Sequence, residues 1–496
     1  MRPSLTAALA ATIVLGGGCA VGPDFTRPPA PAVVQYGDTP APGHLAPGAG
    51  EPDQQVLPEA MLSSEWWELF HSPTLSDSVK SALAGNQTLA AAQASLDQAE
   101  ETVIQARAAF FPQIDFTGEA SRQQSAGVTT SLGHRPRRLL NLFSLGPTLS
   151  FTPDLFGLTR RQVEQAEGLA SNQACQLANT YLTLTGNVVA QAIGVAGTRL
   201  EIAAVQQIVD DDERNLGLVK DEFDAGKAAR TDVLSAETQL ANDRAQLPPL
   251  AQQLSVGRHA LEVLLGRLPA EWSAPDFDLG EITLPGDLPL TVPSALVRQR
   301  PDILAAEGQL HAASAAIGVA TAEMFPQVTL SASFTQEALS TDMLFPGSSS
   351  AWQLASSLTQ PIFHGGQLAS ARRGSIDAFR GAAATYRQTV LTAFQQVADT
   401  LDALAHDADL VGDQREALDV AEQSLALQRI SYREGKSTLL QLLDAQRLAQ
   451  EARLGYARAQ TQRYQDTAQL FVAMGGRWWE ADVGADTTAL CAPEST

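Results

Sequence analysis

The segment Gly435-Lys436-Ser437-Thr438 has the residue types of a phosphate-binding loop, in which backbone N–H groups and a lysine hold nucleotide phosphates. The full motif requires a second glycine five residues before Gly435, but that position is Ile430, within a helical pattern. The seven histidines show no HxxxH spacing, and the sequence has no GxSxG motif. We therefore expect no nucleotide, metal, cofactor or catalytic site, and a protein that is not an enzyme.

Cys19 is the residue whose surroundings indicate a covalent reaction. It follows a positively charged start, an apolar run over residues 5–15 and the small residues 16–18, which is the order of a secretory leader. A cysteine after small residues resembles a bacterial lipobox, in which the thiol is acylated and cleavage leaves the cysteine first. Leu15 lies one position before the usual leucine, so an ordinary leader with an incidental cysteine is the alternative. Ala20, rather than aspartate, follows the cysteine, as in lipoproteins sorted to the outer membrane.

Charge and the remaining cysteines exclude other classes. A formal charge of −22 argues against nucleic acid, because phosphates demand a basic surface. Three cysteines make no disulfide framework, and Cys175, in an Ala- and Leu-rich helical pattern, is interpreted as a small buried apolar residue. No run of 18 apolar residues occurs after the leader, so no transmembrane helix is predicted.

Residues 328–335 alternate strictly between apolar and hydroxyl side chains, without a charge. This is the pattern of a transmembrane β-strand with one face toward lipid, although a half-buried strand of a soluble sandwich alternates too. Residues 114–117, 144–152 and 352–362 show similar alternation, so four such strands are predicted. An exposed hairpin loop is predicted over 127–138.

Long helical patterns separate these strands. From Leu158 apolar residues recur every three or four positions, and Gly226-Lys227 is the expected break, leaving helices of about 65 and about 40 residues. At ~1.5 Å per residue the first would be ~100 Å long, so it must belong to a coiled coil or to the wall of a tube. The second half has the same plan, with its break at Gly435-Lys436.

The two halves align over several landmarks. Residues 111–114 match 325–328 and residues 223–227 match 432–436, with an offset of roughly 210 positions, which indicates an internal duplication. The predicted organisation is a leader (1–18), a lipid-anchored extended tether (19–62), a first repeat (63–268), a Pro-rich connector (269–293), a second repeat (294–479) and a tail (480–496).

Four strands cannot close a barrel, and an open sheet edge cannot persist in hydrocarbon, where backbone groups find no water. Bacterial outer-membrane barrels have at least ~8 strands. Several chains must therefore share one barrel, so that two chains give eight strands and three give twelve.

The chain resembles the TolC family of outer-membrane factors, in its OprM/NodT lipoprotein branch. The residues that carry the resemblance are Cys19 to Phe25, Trp66-Trp67 with Phe70, Arg300-Pro301-Asp302-Ile303, Glu307, Ile317 to Ala320, Phe325-Pro326, the two Gly-Lys turns, Leu443 to Gln446, and Gly475-Gly476 with Trp478. The resemblance implies a mainly α fold with a small β part: a trimeric twelve-stranded outer-membrane barrel, continuous with a long periplasmic α-helical barrel.

The implied function is the exit duct of tripartite efflux, exporting small toxic compounds or drugs. The implied partners are two further copies of the chain, a periplasmic adaptor, an inner-membrane pump of the RND type, and outer-membrane lipid. A duct for type I protein secretion and a purely structural coiled-coil lipoprotein of the periplasm are the alternatives.

The resemblance also implies site residues. Gly226 and Gly435 would lie at the periplasmic tips and meet the adaptor. Asp444 would face the lumen, where three copies form a carboxylate ring, while Asp232 with Tyr432 would hold the tip closed. A solvated helix face is the alternative for both aspartates.

Overall fold

The computed structural model describes residues 20–33, 35–37, 43–45, 53–58, 60, 62–125, 128–130, 133–135, 138–476, 478 and 490–491. The leader and Cys19 therefore lie outside the described residues. The chain forms two compact units. The first comprises Met1–Arg27, Asp97–Ala170 and Glu307–Thr385, and the second comprises Pro28–Leu96, Ser171–Ala306 and Tyr386–Thr496.

Helices dominate the described residues. In chain order they are α1 (Pro73–Gly85), α2 (Gln87–Ala108), α3 (Leu158–Asp224), α4 (Arg230–Arg244), α5 (Leu247–Leu264), α6 (Pro293–Gln299), α7 (Pro301–Ala322), α8 (Gln367–Arg433) and α9 (Leu439–Met474). The strands are β1 (His44–Leu45), β2 (Gln54–Pro58), β3 (Gln113–Ser125), β4 (Val128–Thr130), β5 (Gly133–Arg135), β6 (Arg138–Phe151), β7 (Asp287–Leu290), β8 (Gln327–Ala338) and β9 (Ser350–Thr359).

The first unit contains a four-stranded antiparallel sheet in the order β3-β6-β8-β9. Within this chain, side chains that alternation assigns to one face of the outer strands are 69–74% exposed, namely Ile114, Phe116, Trp352, Leu354 and Leu358. Among the described residues, β3 and β9 each have a hydrogen-bonded neighbour on one side only. In this part of the chain the sheet therefore has two open edges and an exposed apolar face. The expected hairpin loop over 127–138 contains the short antiparallel pair β4 and β5.

The two longest helices confirm the predicted duplication. Helices α3 and α8 each have 67 residues, and they begin at Leu158 and Gln367, an offset of 209 positions. The helix that follows Gly226 differs from the prediction of about 40 continuous residues, because it is divided into α4 and α5. Pro248 and Pro249 are in the first turn of α5, where their missing N–H groups cannot continue the α4 ladder. Helix α9, without proline, runs unbroken for 36 residues.

By length and composition, α3 and α7 are also apolar enough to cross a membrane, although the sequence predicts no such helix. However, 56% of the most apolar window of α3 and 67% of that of α7 are buried inside the protein. Burial within the chain accounts for their apolar character, as for a core helix.

The second unit has a core of large aromatic residues. Trp66, Trp67, Phe70 and Phe471 are each at most 1% exposed, and the rings of Trp66 and Phe471 are 5.7 Å apart. Trp478 is also buried, and its indole N–H donates to the carbonyl of Gln299 at 2.9 Å. The connector between the repeats supplies β7, which pairs in parallel with β2.

The expectation of an unpacked tether over 19–62 is corrected by this pairing, because β2 belongs to that segment. Gln54 is fully buried, donates to the carbonyl of Pro285 and accepts from Arg463, both at 3.0 Å. Within the first unit, Phe25 stacks on His311 with ring centres 4.4 Å apart. The described part of the segment is extended, but polar and aromatic side chains anchor it.

Cys175 and Cys491 form a disulfide, with Cα atoms 5.2 Å apart across 316 positions of sequence. Cys175 is buried in the apolar core, as predicted, but the disulfide that it forms was not predicted. The Ser171 hydroxyl also donates to the carbonyl of Leu490 at 3.0 Å. The C-terminal residues 490–491 are thus fixed to α3 by a covalent bond and a hydrogen bond.

Candidate functional site at the two Gly-Lys turns

The turns after α3 and α8 have the same backbone structure. Gly226 and Gly435 have φ values of +72° and +69°, in the left-handed region that favours glycine. The Gly226 and Lys227 N–H groups donate to the carbonyls of Phe223 and Glu222, at 2.9 and 2.8 Å. Gly435 and Lys436 make the equivalent bonds, also at 2.9 and 2.8 Å. Both helices thus end in a Schellman motif.

The space beside both glycines is open. A Cβ atom added to Gly226 or Gly435 would meet no atom of the described residues within 4 Å. Glycine is therefore favoured for its backbone conformation, and no described residue covers the surface of either turn.

The returning helices begin with matched caps. The carboxylate of Asp232 accepts from the Ala229 N–H at 2.9 Å, and the amide oxygen of Gln441 accepts from the Thr438 N–H at 2.9 Å. Asp232 and Gln441 are 209 positions apart, the offset of the duplication. Each satisfies an N–H group at the start of its own helix.

Tyr432 links two of the long helices near the turns. Its hydroxyl donates to the carboxylate of Glu222 at 2.6 Å, which joins α8 to α3. Burial raises the pKa of Tyr432, and the hydrogen bond to Glu222 and the nearby charge of Asp232 raise that pKa further. The phenol therefore remains a donor at neutral pH. Within this chain Tyr432 does not donate to Asp232 as expected: Asp232 caps α4, and the carboxylate of Glu222 accepts the hydrogen bond from the hydroxyl.

A second link between α3 and α8 lies near the first. The Arg429 guanidinium donates to Asp211 at 2.8 Å, and Arg214 binds the same carboxylate at 2.5 Å. A cavity of about 280 Å³ lies between these groups and is also lined by Tyr432 and Gln446. The two links hold the first hairpin (α3 and α4) against the second hairpin (α8 and α9).

Sequence reasoning missed Glu222, Asp211 and Arg429. Helical spacing was an available signal, because Arg429 and Tyr432 are three residues apart and share one face of α8. Asp211 and Glu222 are eleven residues apart, about three turns, and share one face of α3.

Asp444 lies on α9, nine residues beyond Gly435, and its side chain is 59% exposed. Arg447, one turn further along, donates to it at 2.9 Å and to Glu451 at 2.7 Å. Within a single chain Asp444 is thus on an exposed helix face beside a cation.

These features define a class of protein. A four-stranded sheet with open edges and an exposed apolar face, joined in a duplicated chain to helices of 67 residues, is the subunit of an outer-membrane channel. Residues 78–267 and 292–476 match the family model described as outer membrane efflux protein. The chain belongs to this family.

Individual relatives agree with the family assignment. The toluene efflux pump outer membrane protein TtgC of Pseudomonas putida is 30% identical, over 95% of both chains. The pyoverdine export outer membrane protein OpmQ of Pseudomonas aeruginosa is 31% identical, over 89% of this chain and 94% of that protein. The solved outer-membrane channel OprN is 28% identical, with a TM-score of 0.83, and the match covers 93% of this chain and all of OprN.

The comparisons confirm the predicted family, fold class, efflux function and location. The chain is an outer-membrane efflux protein that extends into the periplasm, mainly helical with a small β part. Its family consists of channels and is not a class of enzymes.

Proposed function

We propose that three copies of this chain form the exit duct of a tripartite efflux system that exports small toxic compounds. The observation that carries the proposal is the four-stranded sheet whose edges β3 and β9 are open. Its exposed apolar face suits lipid, but open edges do not. Pairing β9 of one copy with β3 of the next satisfies both edges, and three copies give a closed barrel of twelve strands.

The small-molecule class of cargo follows from the relatives. Their names refer to toluene efflux and pyoverdine export, and both match nearly the whole chain. We favour small toxic compounds over a secreted polypeptide for this reason. A purely structural coiled-coil lipoprotein is disfavoured by the exposed apolar face of the sheet, for which a spacer has no use.

Gly226 and Gly435 are proposed as the docking points for a periplasmic adaptor, which in turn connects the duct to an RND-type pump of the inner membrane. The support is their matched geometry and the open space around both turns. Asparagine tolerates the left-handed conformation, whereas leucine does not and adds bulk. Gly435→Leu should therefore lower drug resistance with trimer yield unchanged, while Gly435→Asn serves as the matched control. Full resistance in Gly435→Leu would contradict docking at this turn and would mean that Gly435 only ends its helix.

The links between the first and second hairpins are proposed as the gate. Tyr432 with Glu222, and Arg429 with Asp211, hold α8 against α3 next to a cavity. Asp232 is proposed to contribute by capping α4 and by its charge beside Tyr432. Asp444 is proposed to face the lumen, where three copies concentrate negative charge and favour cations.

Cys19 is proposed as the lipid-bearing residue. The chain has three cysteines, and Cys175 and Cys491 pair with each other. Cys19 is then the odd cysteine, and acylation removes a thiol that would otherwise compete for the disulfide. Several acyl chains on one residue anchor a protein firmly.

Complementation tests the proposed duct. In a strain lacking this gene but retaining its adaptor and pump, we expect drug accumulation and a lowered inhibitory concentration, both restored by the wild-type gene. Restoration of protein secretion with no effect on drug accumulation would favour the type I alternative. Loss of envelope integrity alone would favour the structural one.

A further inference from the structure

Two carboxyl groups face each other in the interior of the first hairpin. Asp212 on α3 and Asp243 on α4 are each 3% exposed, and the two side chains are within hydrogen-bonding contact. Burying one carboxylate is costly, and burying two in contact is more so, because their charges repel.

The hydrogen-bond donors around this pair are distributed unequally. Asp243 accepts from the side-chain amides of Gln239, Gln246 and Gln450, at 2.7, 2.9 and 3.2 Å. By contrast, neither oxygen of Asp212 meets an N–H or O–H donor among the described residues. A proton on Asp212 supplies the missing donor, because a carboxylic acid can donate to the carboxylate of Asp243.

The charged groups around the pair come from every helix packed against it. Asp211 on α3 and Asp243 on α4 disfavour a negative Asp212, while Arg429 on α8 partly offsets them. Arg453 on α9 lines the adjoining cavity and binds Glu422 at 2.6 Å. Burial, followed by the contact with Asp243, raises the pKa of Asp212 to about 8.

The second hairpin has a related pair, in which one carboxyl group is buried and the other is half-buried. Asp407 on α8 is 8% exposed, one of its oxygens has no partner among the described residues, and its carboxyl group contacts Asp466 on α9. Burial and that contact raise the pKa of Asp407 to about 7, with Arg463 acting in the opposite direction.

The duplication does not explain the recurrence. At the offset of 209 positions, Asp212 and Asp243 correspond to Ala421 and Ala452, while Asp407 and Asp466 correspond to Thr198 and Gly257. Each half of the chain therefore holds a carboxyl pair between its own two helices, at positions that are not equivalent; both members are buried in the first pair, whereas Asp466 of the second is half-buried.

We infer that a proton shared between Asp212 and Asp243 is a pH-sensitive lock that holds α3 to α4, with Asp407 and Asp466 as its counterpart in the second hairpin. When the proton leaves, two buried charges repel and the hairpin loosens. The consequence for flow through the duct rests on the proposed function, but the loosening itself does not.

The sign of the pH dependence follows from proton linkage. An opened hairpin exposes Asp212, whose pKa then returns to its ordinary acidic value, so the open form releases the proton at lower pH than the closed form. Raising the pH through the interval between those two pKa values therefore favours opening, by up to about tenfold per pH unit for one proton. Above the pKa of the closed form the dependence levels off.

Hydrogen exchange of the detergent-solubilised full-length protein measures this opening directly. Protection factors of peptides covering 208–216 and 239–247, corrected for the intrinsic pH dependence of exchange, should fall between pH 5 and 8 and then become constant. Asp212→Asn, whose amide donates at every pH, should abolish the fall. Asp210→Asn, at an exposed position on α3 two residues before Asp212, should retain the fall in protection. Protection that does not change with pH in the wild type would overturn the lock.

A reciprocal variant and a metal test complete the experiment. Asp243→Asn should weaken the pH dependence, because it removes the contact that raises the pKa of Asp212 but leaves that carboxyl group buried, so the inference can be tested even where Asp212→Asn fails to fold. If calcium restores protection at pH 9 and EDTA reverses the effect, a bound cation and not a shared proton holds the pair, and the proposed lock is overturned. Hydrogen exchange is measured without transport. If protection in the wild-type protein does not depend on pH although its strain exports drugs, only the lock is contradicted. If protection falls with pH as expected but the strain does not export drugs, only the duct is contradicted.

Discussion

Removing both links between α3 and α8 should open the gate of the channel. Tyr432→Phe deletes the hydroxyl that donates to Glu222, and Arg429→Ala deletes the cation that binds Asp211. Both changes should leave the helices intact, because the turn after α8 is held by backbone hydrogen bonds and both changes alter side chains only.

The size of the effect follows from the contacts. A hydrogen bond to a charged group contributes about 1.5–3 kcal/mol, and the partly exposed site of Tyr432 places this bond near the lower value. The side chains of Arg429 and Asp211 are 41% and 17% exposed, so their ion pair contributes at most about 1 kcal/mol. Together the two losses amount to roughly 1.5–2.5 kcal/mol, about a 12- to 60-fold rise in the ratio of open to closed channels.

Single-channel recording in planar bilayers measures that ratio. Tyr456→Phe is the matched control, because its hydroxyl contacts Arg415 and Gln460, which both lie within the second hairpin. In a double-mutant cycle, Tyr432→Phe and Glu222→Gln should be strongly non-additive. Open probability that equals that of the control would refute the assignment of these contacts to the gate.

Three further predictions concern the cysteines and Asp444. Mass spectrometry of the mature N-terminus should show a lipid-modified Cys19, and an unmodified terminus at another residue would contradict acylation. A non-reduced peptide map should join Cys175 to Cys491, and reduction should lower the melting temperature, because the bond closes a long loop in the unfolded chain; two alkylatable thiols in the native protein would contradict the pairing. Asp444→Ala should reduce cation selectivity and block by multivalent cations, whereas unchanged reversal potentials would return Asp444 to a solvated helix face.

Most of the helices and strands were predictable from the local periodicity of the sequence. The alternation over 328–335 and the helical pattern from Leu158 depend on neighbouring residues, so β8 and α3 were predicted close to their observed bounds. The glycines of the two turns were equally visible, because a left-handed turn restricts the residue type at one position.

Contacts between distant residues were not predictable in this way. Cys175 and Cys491 are separated by 316 positions, and no spacing rule relates them. The acceptor of the Tyr432 hydroxyl was not predictable either, because the tertiary structure places the Glu222 carboxylate beside the hydroxyl and the Asp232 carboxylate at the cap of α4. The packing of Gln54 against Arg463 likewise depends on tertiary structure, because nothing in a Pro-rich segment indicates its partners.

The number of chains in the assembly tests the central claim most directly, because a four-stranded sheet gives a duct only when copies of it close a barrel. Native mass spectrometry of the protein extracted from the outer membrane should give the mass of three mature chains, which corresponds to twelve strands. A monomer leaves both edges of the sheet open, and a dimer gives an eight-stranded barrel whose interior is filled by side chains. Either of those masses would contradict the proposed duct.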